Sequence, residues 1–243
     1  MIIPRELAWD GSLNARDLGG LGRIRPGAVV RMEAPTQLTA AGWAAAWSYG
    51  VRTVIDLRNP DEITPDTTPR PAGFTTVQVP QDPLGSPFHH RWSAIDHLAT
   101  PLYFPAMLAE HPEPVVAAVR AVASAPPGGV VFHCAGGKDR TGLLALVLLV
   151  LAGASPAEII DDHLLSYQRM ESRYAARGAP DQLAKVTARL AAHGTTIEEA
   201  LTDTIASLTM PDFLLDNGLS AKELVFLIDR LTARLPNGVR RTA

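Results

Sequence analysis

The segment that decides the predicted fold is GGVVFHCAGGKDRTGLLALVLLVLAG, residues 128–153. It holds three parts in a fixed order: a short apolar strand, a loop rich in glycine and charge, and an apolar helix. A loop that leads into a helix N-terminus presents unpaired backbone amides and the positive end of the helix dipole. The order of these parts therefore predicts an anion-binding turn between a strand and a helix.

The side chains of this loop fit a phosphate dianion. Gly136 and Gly137 let backbone amides approach the phosphate oxygens with no side chain in the way. Arg140, at the start of the helix, can direct two N–H groups onto two oxygens, which lysine does not do. Lys138 adds a second positive charge, which we expect at the rim of the site.

Cys134, the single cysteine of the chain, opens the loop. Cationic groups and a helix N-terminus favour the thiolate, the nucleophilic form of the sulfur. We predict that Cys134 attacks phosphorus and forms a phosphocysteine that water hydrolyses. An isolated cysteine among apolar residues is more often an inert core thiol. The spacing from Cys134 to Arg140, with two glycines between them, favours the nucleophile instead. A Walker-type nucleotide loop does not fit, because neither Ser nor Thr follows Lys138.

The rest of the chain predicts an α/β fold. Its sheet is expected to be central and largely parallel, with about four or five strands flanked by helices, followed by an all-helical C-terminal half. The β-rich runs cover residues 28–32, 51–57, 74–79 and 130–132. The expected helices cover residues 38–49, 101–111, 114–124, 155–177, 181–193, 196–208 and 220–235, besides the one that follows the loop.

Two segments, residues 64–73 and 80–101, are rich in proline and predict long surface loops. The wider region 80–125 precedes the strand that carries Cys134, and we expect it to form a helical lid over the site. His89 and His90 lie in this region without further ligands at zinc-site spacing, so the sequence predicts no metal and no cofactor.

Composition narrows the functional classes. With 243 residues we expect one domain, residues 1–243, with the helical part over 155–243. The net charge of −3 gives no general attraction to nucleic acid. No apolar run reaches the roughly 20 residues of a membrane span. One cysteine excludes an intramolecular disulfide. A cytoplasmic location is expected, with export without a signal left open, and no oligomeric state is predicted.

The motif HCAGGKDRTG resembles the signature loop of the protein tyrosine phosphatase superfamily. Its ending, together with the segment Asn-Ala-Arg-Asp-Leu-Gly-Gly at residues 14–20 and the triplet Asp-Leu-Arg at residues 56–58, is similar to a bacterial branch of tyrosine, dual-specificity and phosphoinositide phosphatases. The segment DFLLDNGLSAKEL, residues 212–224, resembles the same branch. The likeness thus extends over nearly the whole chain.

This resemblance implies the cysteine phosphatase fold, a lid, and a set of roles. Cys134 would be the nucleophile and Arg140 the phosphate clamp. Three residues would support them from outside the loop: His133 against the loop and the cysteine, Thr141 as a hydroxyl donor toward the sulfur, and Arg58. The phosphate would be cradled by the backbone of the loop residues Ala135, Gly136, Gly137, Lys138, Asp139 and Arg140.

The general acid is not given by the motif, because the chain has no Trp-Pro-Asp tripeptide. Asp139, beside Arg140, is our first choice, since related lipid phosphatases with an Asp-Arg pair there imply the same role. Asp56 comes second, because it ends a strand that should reach the same crevice. Asp82 is third. Asp56 as a structural partner of an arginine, and Asp139 as a residue that only fixes the loop, are open alternatives.

The predicted function is a phosphomonoester hydrolase that acts on phosphotyrosine, with phosphoserine, phosphothreonine and phosphoinositides as further candidate substrates. Its partner is then a phosphorylated protein or a phosphoinositide. Two alternatives stay open. One is sulfur or arsenate chemistry, although a chain with one cysteine lacks the second thiol that a reductase uses. The other is a phosphate-binding pseudophosphatase.

Overall fold

A computed structural model describes residues 5–64, 67–95 and 97–232. Its strands form one sheet, in the spatial order β1, β2, β5, β3, β4. The strands are β1 (Arg16–Asp17), β2 (Val29–Met32), β3 (Val51–Asp56), β4 (Thr75–Gln78) and β5 (Gly129–His133). Among the described residues β1 and β2 pair in antiparallel orientation, whereas β2 with β5, β5 with β3 and β3 with β4 pair in parallel. The structure confirms the predicted largely parallel sheet.

Helices cover both faces of this sheet in the described residues. They are α1 (Ala40–Tyr49), α2 (Pro87–Ala94), α3 (Phe104–Glu110), α4 (Pro112–Ser124), α5 (Asp139–Leu151), α6 (Pro156–Ala176), α7 (Gln182–Ala191), α8 (Ile197–Ser207), α9 (Asp212–Asp216) and α10 (Ala221–Thr232). Short 3₁₀ helices occupy Pro60–Glu62 and Pro101–Tyr103. The predicted helical C-terminal half is therefore confirmed as far as residue 232, and the expected end of the last helix at 235 lies outside the described residues.

The hydrophobic core has two parts. The larger one surrounds α5, whose residues 141–149 are all buried, as its almost continuous apolar sequence requires. The smaller one lies under α1 and contains Trp43 together with Val54 and Val131 of the sheet. Because α5 and α1 belong to different parts of the core, the sheet that carries the site is held from two sides.

Several local predictions were wrong. Residues 87–94, expected in a loop, form α2, because Ser86 caps the helix, Pro87 starts it and Phe88 is buried. The segment 101–111 is a 3₁₀ turn followed by α3 rather than one helix. The strand β1 and the short helix α9 had not been predicted. Within the predicted lid, α4 is a core helix with Val115, Val116, Val119 and Val122 buried. The lid expected over residues 80–125 otherwise stays a prediction.

No helix in the described part of the chain combines the length and the apolar character that a bilayer crossing requires.

Candidate active site

The sheet brings the carboxyl ends of three strands together around Cys134. His133, the last residue of β5, is in register with Met32 of β2 on one side and with Asp56 of β3 on the other. Cys134 follows immediately, and α5 begins five residues later at Asp139. Ligand sites of open α/β sheets lie in this position, outside the carboxyl ends of parallel strands.

Gly137 can only be glycine in this loop. Its φ is 67°, in the left-handed region, and a Cβ there would stand 2.3 Å from the carbonyl oxygen of Met32. Gly136 is limited by another neighbour, because its Cβ would lie 2.7 Å from the hydroxyl of Tyr174 on α6. The two glycines predicted to open the loop thus also let it pack between β2 and α6.

The carbonyl groups of the loop all turn outward. His133 Nδ1 lies 3.2 Å from the carbonyl oxygen of Cys134, and the amide of Ala34 donates to that of Ala135 at 3.0 Å. Asn14 donates to the carbonyl oxygens of Gly136 and Gly137, both at 3.3 Å. Arg31 donates to the carbonyl oxygen of Gly137 at 2.8 Å and to that of Lys138 at 3.4 Å.

The amides of the loop are left for a ligand. Those of Ala135, Gly136, Gly137 and Lys138 donate to no backbone carbonyl of the described residues. The first turn of α5 adds amides that have no partner one turn earlier in the helix. A loop whose carbonyls point out and whose amides are unpaired is a concentrated donor site, which suits the oxygens of a phosphate.

A buried network of charged side chains fixes the residues that support this loop. Asp162 of α6 accepts hydrogen bonds from Arg16 at 2.9 Å and from Arg31 at 2.7 Å, and it also pairs with Arg5. Ser166 accepts from Arg16 at 2.7 Å and from Arg31 at 3.2 Å. The segment 14–20 thus supports the site directly, since its Asn14 and Arg16 connect the loop to α6.

The pKa values of Asp162 and Arg31 agree with this network of charges. Burial acts to raise the pKa of Asp162, but the charges of Arg16 and Arg31 outweigh it and hold that pKa well below its usual range. Burial and the charge of Arg16 lower the pKa of Arg31 to about 10, against the opposing effect of Asp162. One carboxylate therefore pairs with two buried guanidinium groups beside the loop.

Arg140 leaves the first turn of α5 toward two carboxylates. Its Nη2 donates to Glu62 at 2.6 Å and its Nη1 to Asp82 at 3.0 Å, and Nη1 also pairs with the second oxygen of Glu62. Its Nε has no acceptor among the described residues. Burial acts to lower the pKa of Arg140. The hydrogen bond of Glu62 and the charges of Cys134 and Asp82 outweigh it and raise that pKa overall. Glu62 thus fixes one edge of the guanidinium, and the edge with Nε stays available to a phosphate.

Cys134 is almost fully buried, with 3% of its surface exposed. Its surroundings are nevertheless not simply apolar. The charge of the sulfur contributes to raising the pKa of Arg140 and of Arg58, behind the larger hydrogen-bond effects of Glu62 and Asp56. The sulfur therefore lies within electrostatic range of two cationic side chains, Arg140 and Arg58.

Asp56 is bound to Arg58. The arginine donates from Nε at 2.9 Å and from Nη2 at 2.7 Å, while His133 Nδ1 lies 3.7 Å away. Burial acts to raise the pKa of Asp56, but the hydrogen bond of Arg58 and the charge of His133 lower it overall. Burial lowers the pKa of His133 despite Asp56. This favours Asp56 as the structural partner of an arginine over Asp56 as an acid.

Lys138 and Asp139 form an ion pair at the start of α5, with the lysine buried and the aspartate partly exposed. The rim position expected for Lys138 is wrong: only 3% of it is exposed, with its Nζ 4.5 Å from the ring centre of Tyr167 and 3.6 Å from Asp139 Oδ1. Asp139 Oδ1 is itself buried and has no hydrogen-bond partner among the described residues. Burial, then the charges of Asp139 and Cys134, raise the pKa of Tyr174 to about 12. Asp139 thus lies among the phenol groups around the loop.

Asp82 also reaches the site. It accepts from Arg140 and, at 2.9 Å, from the side chain of Asn59. Burial raises the pKa of Asp82, although Arg140 and Asn59 act in the opposite direction. The backbone amide of Asn59 donates to Glu62 at 2.9 Å. Asn59 therefore positions both carboxylates that bind Arg140.

Thr141 is buried, and its hydroxyl has no hydrogen-bond partner among the described residues. Its predicted donation to the sulfur stays a prediction. Three residues of the site were not predicted from the sequence: Arg31, Glu62 and Asp162. Glu62 lies four residues after Arg58, in the segment that leaves β3 at the predicted crevice, which is the one sequence signal that pointed to it.

Known proteins are similar to this chain in sequence. A sequence model of the tyrosine phosphatase family matches residues 7–233. A protein of Cupriavidus necator, provisionally named a tyrosine-protein phosphatase, is 32% identical over 181 residues, which are 68% of this chain and 64% of that protein. A protein of Nostoc commune named tyrosine-protein phosphatase is 33% identical over 156 residues, which are 60% of this chain and 50% of that protein.

The chain therefore spans between half and two thirds of the length of these relatives. The family match covers most of the chain and agrees with the resemblance of the loop HCAGGKDRTG. The chain belongs to the tyrosine phosphatase family, whose members are hydrolases.

Proposed function

We propose that this protein hydrolyses phosphotyrosine in proteins through a phosphocysteine on Cys134. The observation that carries the proposal is the loop itself, whose five carbonyls from residue 134 to 138 are all held outward while the amides stay unpaired. Such a loop, with an arginine at its end, stabilises a dianion and the charge that develops around phosphorus.

In the first step the sulfur of Cys134 attacks phosphorus, and the bond from phosphorus to the tyrosine oxygen breaks. Asp139 gives its proton to that oxygen, and its Oδ1, which has no hydrogen-bond partner among the described residues, is the atom that would hold this proton. In the second step water attacks the phosphocysteine and passes a proton to Asp139. The sulfur leaves as thiolate and phosphate is released.

The depth of the sulfur supports phosphotyrosine as the substrate. Cys134 is 3% exposed, so the phosphate must enter deeply, and phosphotyrosine has a longer side chain than phosphoserine or phosphothreonine. The burial of Lys138 removes the rim charge that suggested a phosphoinositide. Activity on phosphoserine, phosphothreonine and phosphoinositides stays a prediction from the sequence, and so does a cytoplasmic location, which would keep the single thiol reduced.

A panel assay tests the proposal. Phosphate release is measured from phosphotyrosine, phosphothreonine and phosphoinositide substrates with the wild type, Cys134→Ser, Asp139→Ala and Asp56→Ala. We expect turnover of phosphotyrosine by the wild type and none by Cys134→Ser. Binding of phosphopeptide by Cys134→Ser without turnover by the wild type would indicate a pseudophosphatase instead. Sulfur transfer from thiosulfate, with no phosphate release, would indicate the sulfur-handling alternative.

A further inference from the structure

One tyrosine of α6 meets the phosphate loop with its hydroxyl group. A Cβ on Gly136 would lie 2.7 Å from the hydroxyl oxygen of Tyr174 and 3.9 Å from the ring carbon that carries this oxygen. Gly136 lies between Cys134 and Asp139, in the middle of the loop. The tip of the Tyr174 side chain therefore packs on the middle of the loop, at a residue whose lack of a side chain makes room for it.

The hydroxyl of Tyr174 lies close to the reacting groups. Burial comes first among the causes that raise the pKa of Tyr174 to about 12, and the charges of Asp139 and Cys134 follow. Those two residues stand at opposite ends of the loop. A group that packs on Gly136 and lies within electrostatic range of both ends is placed over the loop. With this pKa the phenol keeps its proton at neutral pH, so it does not act as a base in place of Asp139.

Tyr174 differs from the other two tyrosines around the loop. Tyr103 and Tyr167 are 2% and 1% exposed, whereas Tyr174 is only partly buried. The hydroxyl of Tyr174 has no hydrogen-bond partner among the described residues, and its oxygen is not enclosed by protein. This oxygen is therefore accessible to a water molecule that enters the site.

The second step of the proposed reaction needs such an oxygen. The attacking water has to direct a lone pair at phosphorus while one of its hydrogens points to Asp139. One hydrogen bond to Asp139 leaves the water free to rotate about that bond, and a second acceptor fixes its orientation. A neutral phenol oxygen accepts a hydrogen bond, and the oxygen of Tyr174 lies on the open side of the loop.

We propose that the hydroxyl group of Tyr174 holds the water molecule that hydrolyses the phosphocysteine. This inference rests on the proposed function and assigns a residue to its second step. The water donates one hydrogen bond to the phenol oxygen and gives its other proton to Asp139. Its oxygen forms the new bond to phosphorus, the bond from phosphorus to sulfur breaks, and Cys134 leaves as thiolate. The phenol ends the step with the proton that it had at the start.

The test separates the two steps of the reaction. Tyr174→Phe removes the hydroxyl and keeps the ring on Gly136. Rapid mixing with p-nitrophenyl phosphate gives the rate constant of the first step from the burst of p-nitrophenol. The rate constant of the second step is kcat divided by the fraction of Cys134 that carries a phosphoryl group at steady state, measured by mass spectrometry after an acid quench. Tyr49→Phe, which removes a phenol hydroxyl that donates to Asp17, is the matched control.

For Tyr174→Phe we expect the rate constant of the second step to fall about tenfold, the scale of one lost hydrogen bond that orients a reactant. The first step should change by less than about twofold, because no water takes part in it. Tyr49→Phe should match the wild type in both steps.

Two results would overturn the inference. One is an unchanged rate constant of the second step in Tyr174→Phe. The other is an equal loss in both steps, which would show that Tyr174 only packs against the loop. Lack of turnover by the wild type, or turnover without a phosphoryl group on Cys134, would instead overturn the proposed function.

Discussion

The side-chain amide of Asn14 donates to the carbonyl oxygen of Gly137 at 3.3 Å and joins residues 123 positions apart. The same oxygen accepts from Arg31, so both of its lone pairs are used from outside the loop. A carbonyl bound in this way cannot turn toward the phosphate, where it would repel an oxygen. The donor geometry of the site is thus set before substrate arrives, which is what preorganised stabilisation of a transition state requires.

Replacing Asn14 should therefore reduce catalysis more than folding. We expect Asn14→Ala to lower kcat/KM by about tenfold to a hundredfold, because the carbonyls of Gly136 and Gly137 lose a donor. The unfolding free energy should fall by only about 1–3 kcal/mol. The measurements are steady-state kinetics and urea unfolding. Asn217→Ala, which removes an amide donor to Phe213 on α9, is the matched control. Equal kinetics for the two variants would contradict the role given to Asn14.

The orientation of Arg140 by Glu62 leads to a second prediction. Arg140→Lys should lower kcat/KM by about a hundredfold or more, because one ammonium cannot serve Glu62 and two phosphate oxygens together. Glu62→Gln should lower it by roughly tenfold, mainly through a higher KM, because one charged hydrogen bond to the guanidinium is weakened. Competitive inhibition by inorganic phosphate reports the same loss without turnover. Arg120→Lys, at an ion pair with Glu223 away from the site, serves as the control. Tighter phosphate binding by Glu62→Gln would show that Glu62 competes with phosphate rather than orienting Arg140.

The three aspartates can be separated by the leaving group of the substrate. Asp139→Asn should slow phenyl phosphate by about 10²–10³ and p-nitrophenyl phosphate far less, because a good leaving group needs no proton. Asp82→Asn should affect both substrates alike. Steady-state rates on the two substrates decide the assignment. The larger leaving-group dependence in Asp82→Asn would transfer the role of acid to Asp82, whose pKa is raised by burial.

Asp56→Asn should act on stability instead. It leaves Arg58 buried without its carboxylate, a change that typically costs about 3–5 kcal/mol. Chemical unfolding measures the loss. A fully stable Asp56→Asn with a leaving-group dependence of its own would restore Asp56 as the acid.

How much of the fold and of the site could be predicted depends on how far apart in the sequence the contacting residues lie. The four main strands and most helices followed from apolar runs and caps, and the loop from Cys134 to Arg140 followed from a contiguous motif. The helix α2 was missed because its proline and histidine content is typical of loops, although Ser86 caps it. The strand β1 was missed because it is two charged residues, Arg16 and Asp17, which carry no apolar pattern although they pair with β2.

The support of the site was harder to predict than its loop. Arg31 reaches Gly137 across 106 positions, and Arg140 reaches Glu62 across 78. Nothing in the neighbouring sequence distinguishes Arg31 from a surface arginine, and the position of Glu62 after β3 is the one signal that pointed to it. The rim position of Lys138 was wrong for a related reason: its stem and charge are taken up by Tyr167 and Asp139, which only the fold brings near.

The pH dependence of stability gives a further prediction. Burial, with the charges of Arg31 and Lys138, lowers the pKa of His163 to about 3. An unfolded histidine has a pKa near 6.5, so between about pH 3 and 6.5 the unfolded chain binds the extra proton. Stability should therefore fall as the pH drops through this range, with a slope of at most about 1.4 kcal/mol per pH unit from this group.

His163→Leu removes the titrating ring and should flatten this slope in unfolding curves measured between about pH 4.5 and 6.5. His133 keeps part of the dependence, since burial lowers its pKa as well. The slope is compared rather than the absolute stability, because His163 packs closely on Gly142 and its replacement can shift the baseline. An unchanged slope would show that His163 does not titrate in this way.

During turnover the sulfur of Cys134 is expected to take the phosphoryl group of the substrate. The most direct measurement mixes the enzyme rapidly with p-nitrophenyl phosphate, quenches in acid, and analyses the peptide that contains Cys134 by mass spectrometry. We expect the mass of one phosphoryl group on Cys134, in an amount that follows a burst of p-nitrophenol, with Asp139→Asn retaining the adduct longer. Turnover with no phosphoryl group on Cys134, or equal turnover by Cys134→Ser, would contradict the account.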